Sequence, residues 1–260
     1  MHGSVKPTFQ HDVRELSSGQ AEMLPIVIDR VSEHHFISSW LAAANEYGRL
    51  LVVDLGMNEG EFSREIMRRY PNARVVAVEA NPDLALAGRH SANLRCYNCA
   101  IASENGPVTF GIDRVNSTAS SLDVSSDHSE TVTVDGVQFS ELLQRAEIDG
   151  EVIDILKIDI EGSELELFER TADRVLFNVR QISVEFHAFV NPDHEPRIAK
   201  ILRRMTSLNF HCIDFTRNCQ DVLMINKSLG LSRLNQYNRA KLGLIKYTRG
   251  LKRILATALH

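Results

Sequence analysis

The sequence predicts an α/β fold: a mostly parallel sheet with flanking helices and an antiparallel hairpin at one edge. Three observations predict it. The runs "RLLVVDLG", "ARVVAVEA" and "VIDILKIDI" are continuously apolar over strand length, without the alternation of a half-exposed strand, so each is read as buried on both faces. Segments with helical spacing separate them, which calls for parallel pairing through right-handed crossovers. Near the end, "NFHCIDFT" and "QDVLMINK" are joined by the short "RNC", too little chain for a crossover and enough for a hairpin.

The elements follow in order. From Met23 to Tyr47 apolar residues recur at helical spacing (Val27, Val31, Phe36, Ile37, Trp40, Leu41, Ala44) and Gly48 supplies a stop, so the spacing predicts a leading helix. "RLLVVDLG" is the first strand, "EGEFSREIMRRY" a helix that Pro71 ends, and "ARVVAVEA" the second strand; "NPDLALAGRH" opens a helix on an Asn-Pro signal. "NLRCYNCAI" reads as the third strand. "GPVTFGI" and "ETVTVDG" then alternate like half-exposed strands around the Ser-rich "NSTASSL", a pattern that predicts a β insertion over about residues 106–137. "QFSELLQRA" is a helix, "VIDILKIDI" the fourth parallel strand, "SELELFERTADR" a helix, "RQISVEFHAF" the fifth strand and "EPRIAKILRRMTSL" the last helix before the hairpin. The expected organisation is an N-terminal segment and leading helix (1–48), one main domain (49–226) and a C-terminal tail (227–260).

Composition narrows the function. With 260 residues, 43% hydrophobic and 24% charged, the chain suits a single α/β domain with a sizeable core. The net charge of -5 hides an asymmetry: Lys227 to His260 holds eight Lys or Arg and no acid, leaving 21 basic and 34 acidic residues in the body. An acidic body repels phosphate backbones, which argues against a nucleic-acid partner. No run of eighteen apolar residues and no apolar leader at the N-terminus are visible, so a cytoplasmic location is expected. Four cysteines are too few for a disulfide scaffold, and the spacing of Cys96 and Cys99 on a strand sends their thiols to opposite faces.

In such a sheet ligands bind beyond the carboxyl ends of the strands. The first strand ends on Asp54, Gly56, Asn58 and Gly60. Glycines there permit a close backbone approach, although a purely structural turn uses the same residues. The spacing G-x-x-x-G differs from the G-x-G-x-x-G of dinucleotide sites. Glu79 closes the second strand, where a carboxylate can accept both hydroxyls of a ribose; a helix-capping carboxylate would look the same.

D-x-G-x-N-x-G, "VEANP" and "NCAI", followed in order by "GPVTF", "STASSL", "LKIDIEGSELE" and "ISVEFH", resemble the FkbM-type S-adenosylmethionine-dependent methyltransferases over about Leu50 to Asn226. The resemblance implies a Rossmann-like, seven-stranded class I methyltransferase sheet and S-adenosyl-L-methionine as cofactor. It implies that Asp54, Gly56, Asn58 and Gly60 cradle the methionine end, with Asn58 where many relatives have glycine. Glu79 would hold the ribose beside Asn81, and Ala100 and Ile101 would pass near the adenine. The implied activity is O-methylation of a small-molecule or saccharide acceptor. An NAD-type oxidoreductase and a non-catalytic nucleoside-binding module are the alternatives.

Candidates for deprotonating an acceptor lie where the fourth and fifth strands end: Asp159, Glu161, Glu185 and His187. Alternation places Asp159 with Glu161, and Glu185 with His187. His187 is the first choice for general base. Asp159 or Glu161 with a raised pKa is the second, and a magnesium or manganese ion on Asp159, Glu185 and His187 the third. In the tail, Leu244, Tyr247, Leu251, Ile254, Leu255 and Ala258 share one helical stripe and the basic residues lie mostly off it. Such a helix docks on the acidic body, joins a homodimer or makes peripheral contact with an anionic membrane.

Overall fold

A computed structural model describes residues 26–87, 92–112, 130–187, 194–216 and 219–229. The chain opens on β1 (Ile28–Val31) and β2 (His34–Ile37), then α1 (Ser38–Glu46). The main sheet comprises β3 (Leu51–Leu55), β4 (Arg74–Glu79), β5 (Leu94–Asn98), β9 (Ile155–Ile158), β10 (Gln181–Glu185), β11 (Phe210–Asp214) and β12 (Asp221–Asn226). Their order is β11-β12-β10-β9-β3-β4-β5. The five strands from β10 to β5 are parallel, and β12 runs antiparallel to both β10 and β11. Parallel strands with a hairpin at one edge are the architecture that the apolar runs predict.

Burial explains why those runs do not alternate. Every residue of β3 is buried: Leu51, Val53 and Leu55 face one core with Leu142, Phe168 and Ile201, while Val52 faces another with Phe36, Phe62 and Ile66. Successive side chains point to opposite faces, and helices cover both. The covering helices are α2 (Glu61–Arg69), α3 (Pro82–Ala87), α4 (Phe139–Arg145), α5 (Glu164–Arg170), α6 (Asp173–Phe177) and α7 (His194–Ser207).

Two expectations need correction. Of the leading helix expected over Met23 to Tyr47, the described residues form only α1; Ile28 to Ile37 form a hairpin with Ser32 at φ 51° in its two-residue turn. A helical stripe and this hairpin bury the same apolar residues, Val31, Phe36 and Ile37, so periodicity could not separate them. A tertiary bond favours the hairpin: the Ile37 amide donates to Oε1 of buried Gln181 at 2.7 Å. The third strand also breaks at Cys99. β5 stays in the main sheet, whereas β6 (Ala100–Ile101) leaves it to pair with β8 (Glu130–Val137), which in turn pairs antiparallel with β7 (Gly106–Ile112).

The Ser-rich "NSTASSL" and the basic amphipathic tail lie outside the described residues. Among the described residues no helix is long and apolar enough to cross a membrane.

Candidate active site

A cleft opens at the carboxyl ends of β3, β4 and β9, lined among others by Gly56, Asn58, Glu79, Ala100, Asp159 and Glu161. Its floor is the turn after β3. The Gly56 and Met57 amides both donate to the Val78 carbonyl, at 3.0 and 2.8 Å, which ties the turn to β4. Gly56 has φ 78°, and a Cβ there would stand 1.7 Å from the Asp159 carbonyl oxygen, so only glycine lets β9 pass this closely. Asn58 also has positive φ, 51°, which accounts for a position that suits glycine or asparagine. Its side-chain Oδ1 is buried without a hydrogen-bond partner.

Glu79 is buried at the end of β4 with both carboxylate oxygens oriented: Oε2 accepts from the Asn58 amide at 2.7 Å and Oε1 from the Asn81 amide at 2.8 Å. Burial pushes its pKa up, against those two amides and the Lys157 ammonium, which pull it down. Each oxygen keeps a lone pair for a ligand hydroxyl. Asn81 caps α3 by accepting from the Asp83 amide, and Ala100 and Ile101 line the cleft as buried apolar surface.

Two of the expected ligand residues do not line the cleft. Asp54 is fully buried beneath the turn, where Oδ2 accepts from the Ser63 hydroxyl at 2.5 Å and Oδ1 lies 3.3 Å from Lys157 Nζ. Gly60 is buried at the start of α2 with φ 78°. Both shape the turn from behind.

The ionisable groups converge at the rim, though not by the predicted route. β9 ends at Ile158, and Glu161 sits in a turn at φ 49° rather than on a continued strand; a left-handed non-glycine residue at a cleft is a strained position that the surroundings must hold. The turn brings Glu161 Oε2 to 3.1 Å from His187 Nε2, and Asp159 Oδ1 lies 3.9 Å from the same nitrogen. His187 Nδ1 lies 3.0 Å from Oε1 of Glu164, itself buried and bonded to the Ile160 and Gly162 amides.

Electrostatics then separates these groups. Burial alone would lower the His187 pKa, but Glu164, Glu161 and Asp159 outweigh it and push the imidazole up to about 9. Burial raises Glu161 to about 7 despite the imidazolium. Burial also works against ionised Asp159, yet the Lys157 ammonium and the two histidines hold its carboxyl far below the usual range. Glu185 is raised, by burial first and by Asp159 second.

The metal set expected from sequence, Asp159 with Glu185 and His187, is not brought within common ligand reach; the structure groups Asp159 and Glu161 with His187, and Asp159 and Glu185 with His34.

A family model described as the methyltransferase FkbM domain matches residues 54–212. The chain belongs to the FkbM methyltransferase family. Its sheet is the Rossmann-like one of S-adenosylmethionine-dependent methyltransferases. The methyltransferase sdnD of Sordaria araneosa is 28% identical over 177 residues, covering 55% of this chain and 68% of that protein. Among solved structures, the fibrillarin/Nop5p complex aligns at 11% identity over 68% of this chain and 71% of that one, with a TM-score of 0.39. The plantazolicin methyltransferase BpumL in complex with SAH aligns at 10% identity over 72% and 83%, with a TM-score of 0.35. At these scores the family match, and not the solved structures, carries the assignment.

Sequence reasoning missed three residues of this FkbM site. Lys157 is buried between Asp54 and Asp159 and also donates to the Gly56 carbonyl; a lone cation inside the doubly buried run "ILKI" was the available signal. Glu164 lies in the helix "SELELFERTADR", where nothing in the spacing marks it as buried. His34 had no signal, because it fell within the misread helix and precedes the FkbM match.

Proposed function

We propose that this FkbM methyltransferase moves a methyl group from S-adenosyl-L-methionine to a hydroxyl of a small-molecule or saccharide acceptor, with Glu161 taking the hydroxyl proton. The observation that carries the reading is the Glu164–His187–Glu161 chain at the edge of a cleft floored by Gly56 and walled by Glu79.

The cleft suits the cofactor by its own chemistry. The buried Oδ1 of Asn58 lacks a donor, and an ammonium group of the methionine end supplies one. Gly56 leaves room beside it, Glu79 offers two oriented acceptors for the ribose with Asn81 next to it, and Ala100 and Ile101 give an apolar wall for the adenine. Asp54 and Gly60 hold the turn in shape. Bound there, S-adenosylmethionine supplies an electrophilic methyl on sulfur, open to in-line displacement by an oxygen.

The chain's own residues then govern the proton. A base works best with a pKa near the working pH. Glu161 meets that condition at about 7, while His187, at about 9, is an imidazolium at neutral pH. The base role therefore passes from His187, the first choice by sequence, to Glu161. Glu164 fixes the ring through Nδ1 and His187 Nε2 holds the Glu161 carboxylate. Asp159, held ionised by Lys157, is too weak a base and adds negative charge beside the imidazolium.

A divalent metal fits this donor set poorly. The expected set of Asp159, Glu185 and His187 does not share ligand reach, and Asp159 already pairs with Lys157. No step is assigned to a metal.

The NAD-type alternative gives way to the family match, and catalysis is separated from a non-catalytic nucleoside module by turnover. The test is S-adenosylhomocysteine formation with a panel of glycosides and phenols, in the native protein and in Glu161→Gln. Turnover that Glu161→Gln abolishes supports the reading; full turnover in the variant contradicts it.

A further inference from the structure

The β1–β2 hairpin precedes the FkbM match, yet it reaches into the site. His34 opens β2 and is 3% exposed. Its Nε2 lies 3.5 Å from Asp159 Oδ2, its Nδ1 lies 3.4 Å from the Ser183 hydroxyl of β10, and its ring meets Phe62 edge-on at 5.7 Å. Ligand atoms of His34, Asp159 and Glu185 all fall within 4.8 Å of one another.

We propose that His34 is a positioning residue of the methyl-transfer site, whose imidazole orients the Asp159 carboxylate beside Glu185 at the acceptor rim. The proposal rests on the methyl-transfer reading above. Two carboxylates this close repel, and one of them takes up a proton unless a donor stands between them. Lys157 reaches Asp159 at 3.5 Å from β9, and His187 and Glu161 face it across the rim. Around Glu185 the other charges are Asp159, His187, Glu33 and Asp221, so acids dominate. His34 is the donor that enters this group from the hairpin. With Nε2–H directed at Asp159, Nδ1 accepts the Ser183 hydroxyl, which fixes the tautomer.

Packing alone would not select a histidine here. A buried imidazole is costly unless its nitrogens find partners, a cost that an aliphatic side chain beside Phe62 would not carry. The hairpin does not depend on His34 for attachment. Gln181 binds the Ile37 amide, and His35 pairs with Asp221 at 2.8 Å while stacking on Phe215 at 3.9 Å between ring centroids.

The experiment compares His34→Leu, which removes the donor, with His34→Gln, which keeps an N–H at similar reach, and with Ser183→Ala. Carboxylate titrations of Asp159 and Glu185 by carbon-13 NMR need no acceptor. In His34→Leu one of the two gains proton affinity about tenfold or more, and turnover on the glycoside panel falls about tenfold or more through kcat with the acceptor KM little changed. His34→Gln restores both, and Ser183→Ala lies between. S-adenosylmethionine affinity, measured by calorimetry on the same proteins, stays at the native value throughout. Titrations and kcat unchanged in His34→Leu overturn the proposal, whatever happens to its melting temperature. Should His34→Leu fail to fold, Ser183→Ala with native titrations and kcat overturns it equally. A native protein that fails to bind S-adenosylmethionine overturns the cofactor reading instead, and the calorimetry shows which has failed.

Discussion

The Nδ1 atom of His187 lies 3.0 Å from Oε1 of Glu164, a carboxylate buried to 1% exposure and bonded to the Ile160 and Gly162 amides. This contact fixes the imidazole with Nε2 facing Glu161 in the cleft. It joins two residues that are distant in sequence into one hydrogen-bonded pair.

The pH dependence of turnover identifies the base. Glu161 must be ionised to take a proton, and its pKa is raised from the ordinary carboxylate value to about 7. Below that pH kcat falls about tenfold per unit, and above it the rate levels off. A limb near 9 would instead mark neutral His187 as the base. Because the two groups interact, the assignment is checked by moving the limb with a His187 substitution.

Replacing His187 tests the coupling. The imidazolium lowers the Glu161 pKa, so His187→Ala moves the limb upward from about 7 and slows the reaction at neutral pH by about tenfold for each unit the limb moves. Cofactor affinity stays unchanged. A variant with the native limb would show that the two groups are not coupled.

Gly56 is predicted to tolerate no side chain. Gly56→Ala forces a Cβ to 1.7 Å from the Asp159 carbonyl at φ 78°. The left-handed strain alone costs about 1–3 kcal/mol, and β9 must shift as well. Chemical denaturation of the variant measures the loss; native stability would mean that the turn and β9 are farther apart in solution.

Chelation should leave the enzyme intact. With Asp159 paired to Lys157 and the expected set with Glu185 and His187 not within common ligand reach, turnover persists after EDTA treatment and dialysis. Loss of activity that magnesium or manganese restores would return a metal to the mechanism.

The sheet was legible in the sequence because strands buried on both faces leave uninterrupted apolar runs, as β3 does from Leu51 to Leu55. The cleft was legible for the same reason: Gly56, Asn58 and Glu79 follow directly on strand ends. The hairpin was not, since Val31, Phe36 and Ile37 satisfy a helical stripe equally well, and losing the hairpin concealed His34. The rim was half legible. Asp159, Glu161, Glu185 and His187 could be placed at strand ends, but their pairing depends on a left-handed turn at Glu161 and on Glu164, neither of which leaves a periodic trace. Glu185 therefore comes within common ligand reach of His34 and Asp159, while His187 does so with Asp159 and Glu161.

Calorimetric titration of S-adenosylmethionine into the native protein and into Glu79→Ala tests the central claim most directly. The account predicts one-to-one binding to the native protein, weakened by about 1–3 kcal/mol in the variant through loss of charged hydrogen bonds to the ribose. No heat from the native protein, or equal affinity in the two, would contradict it.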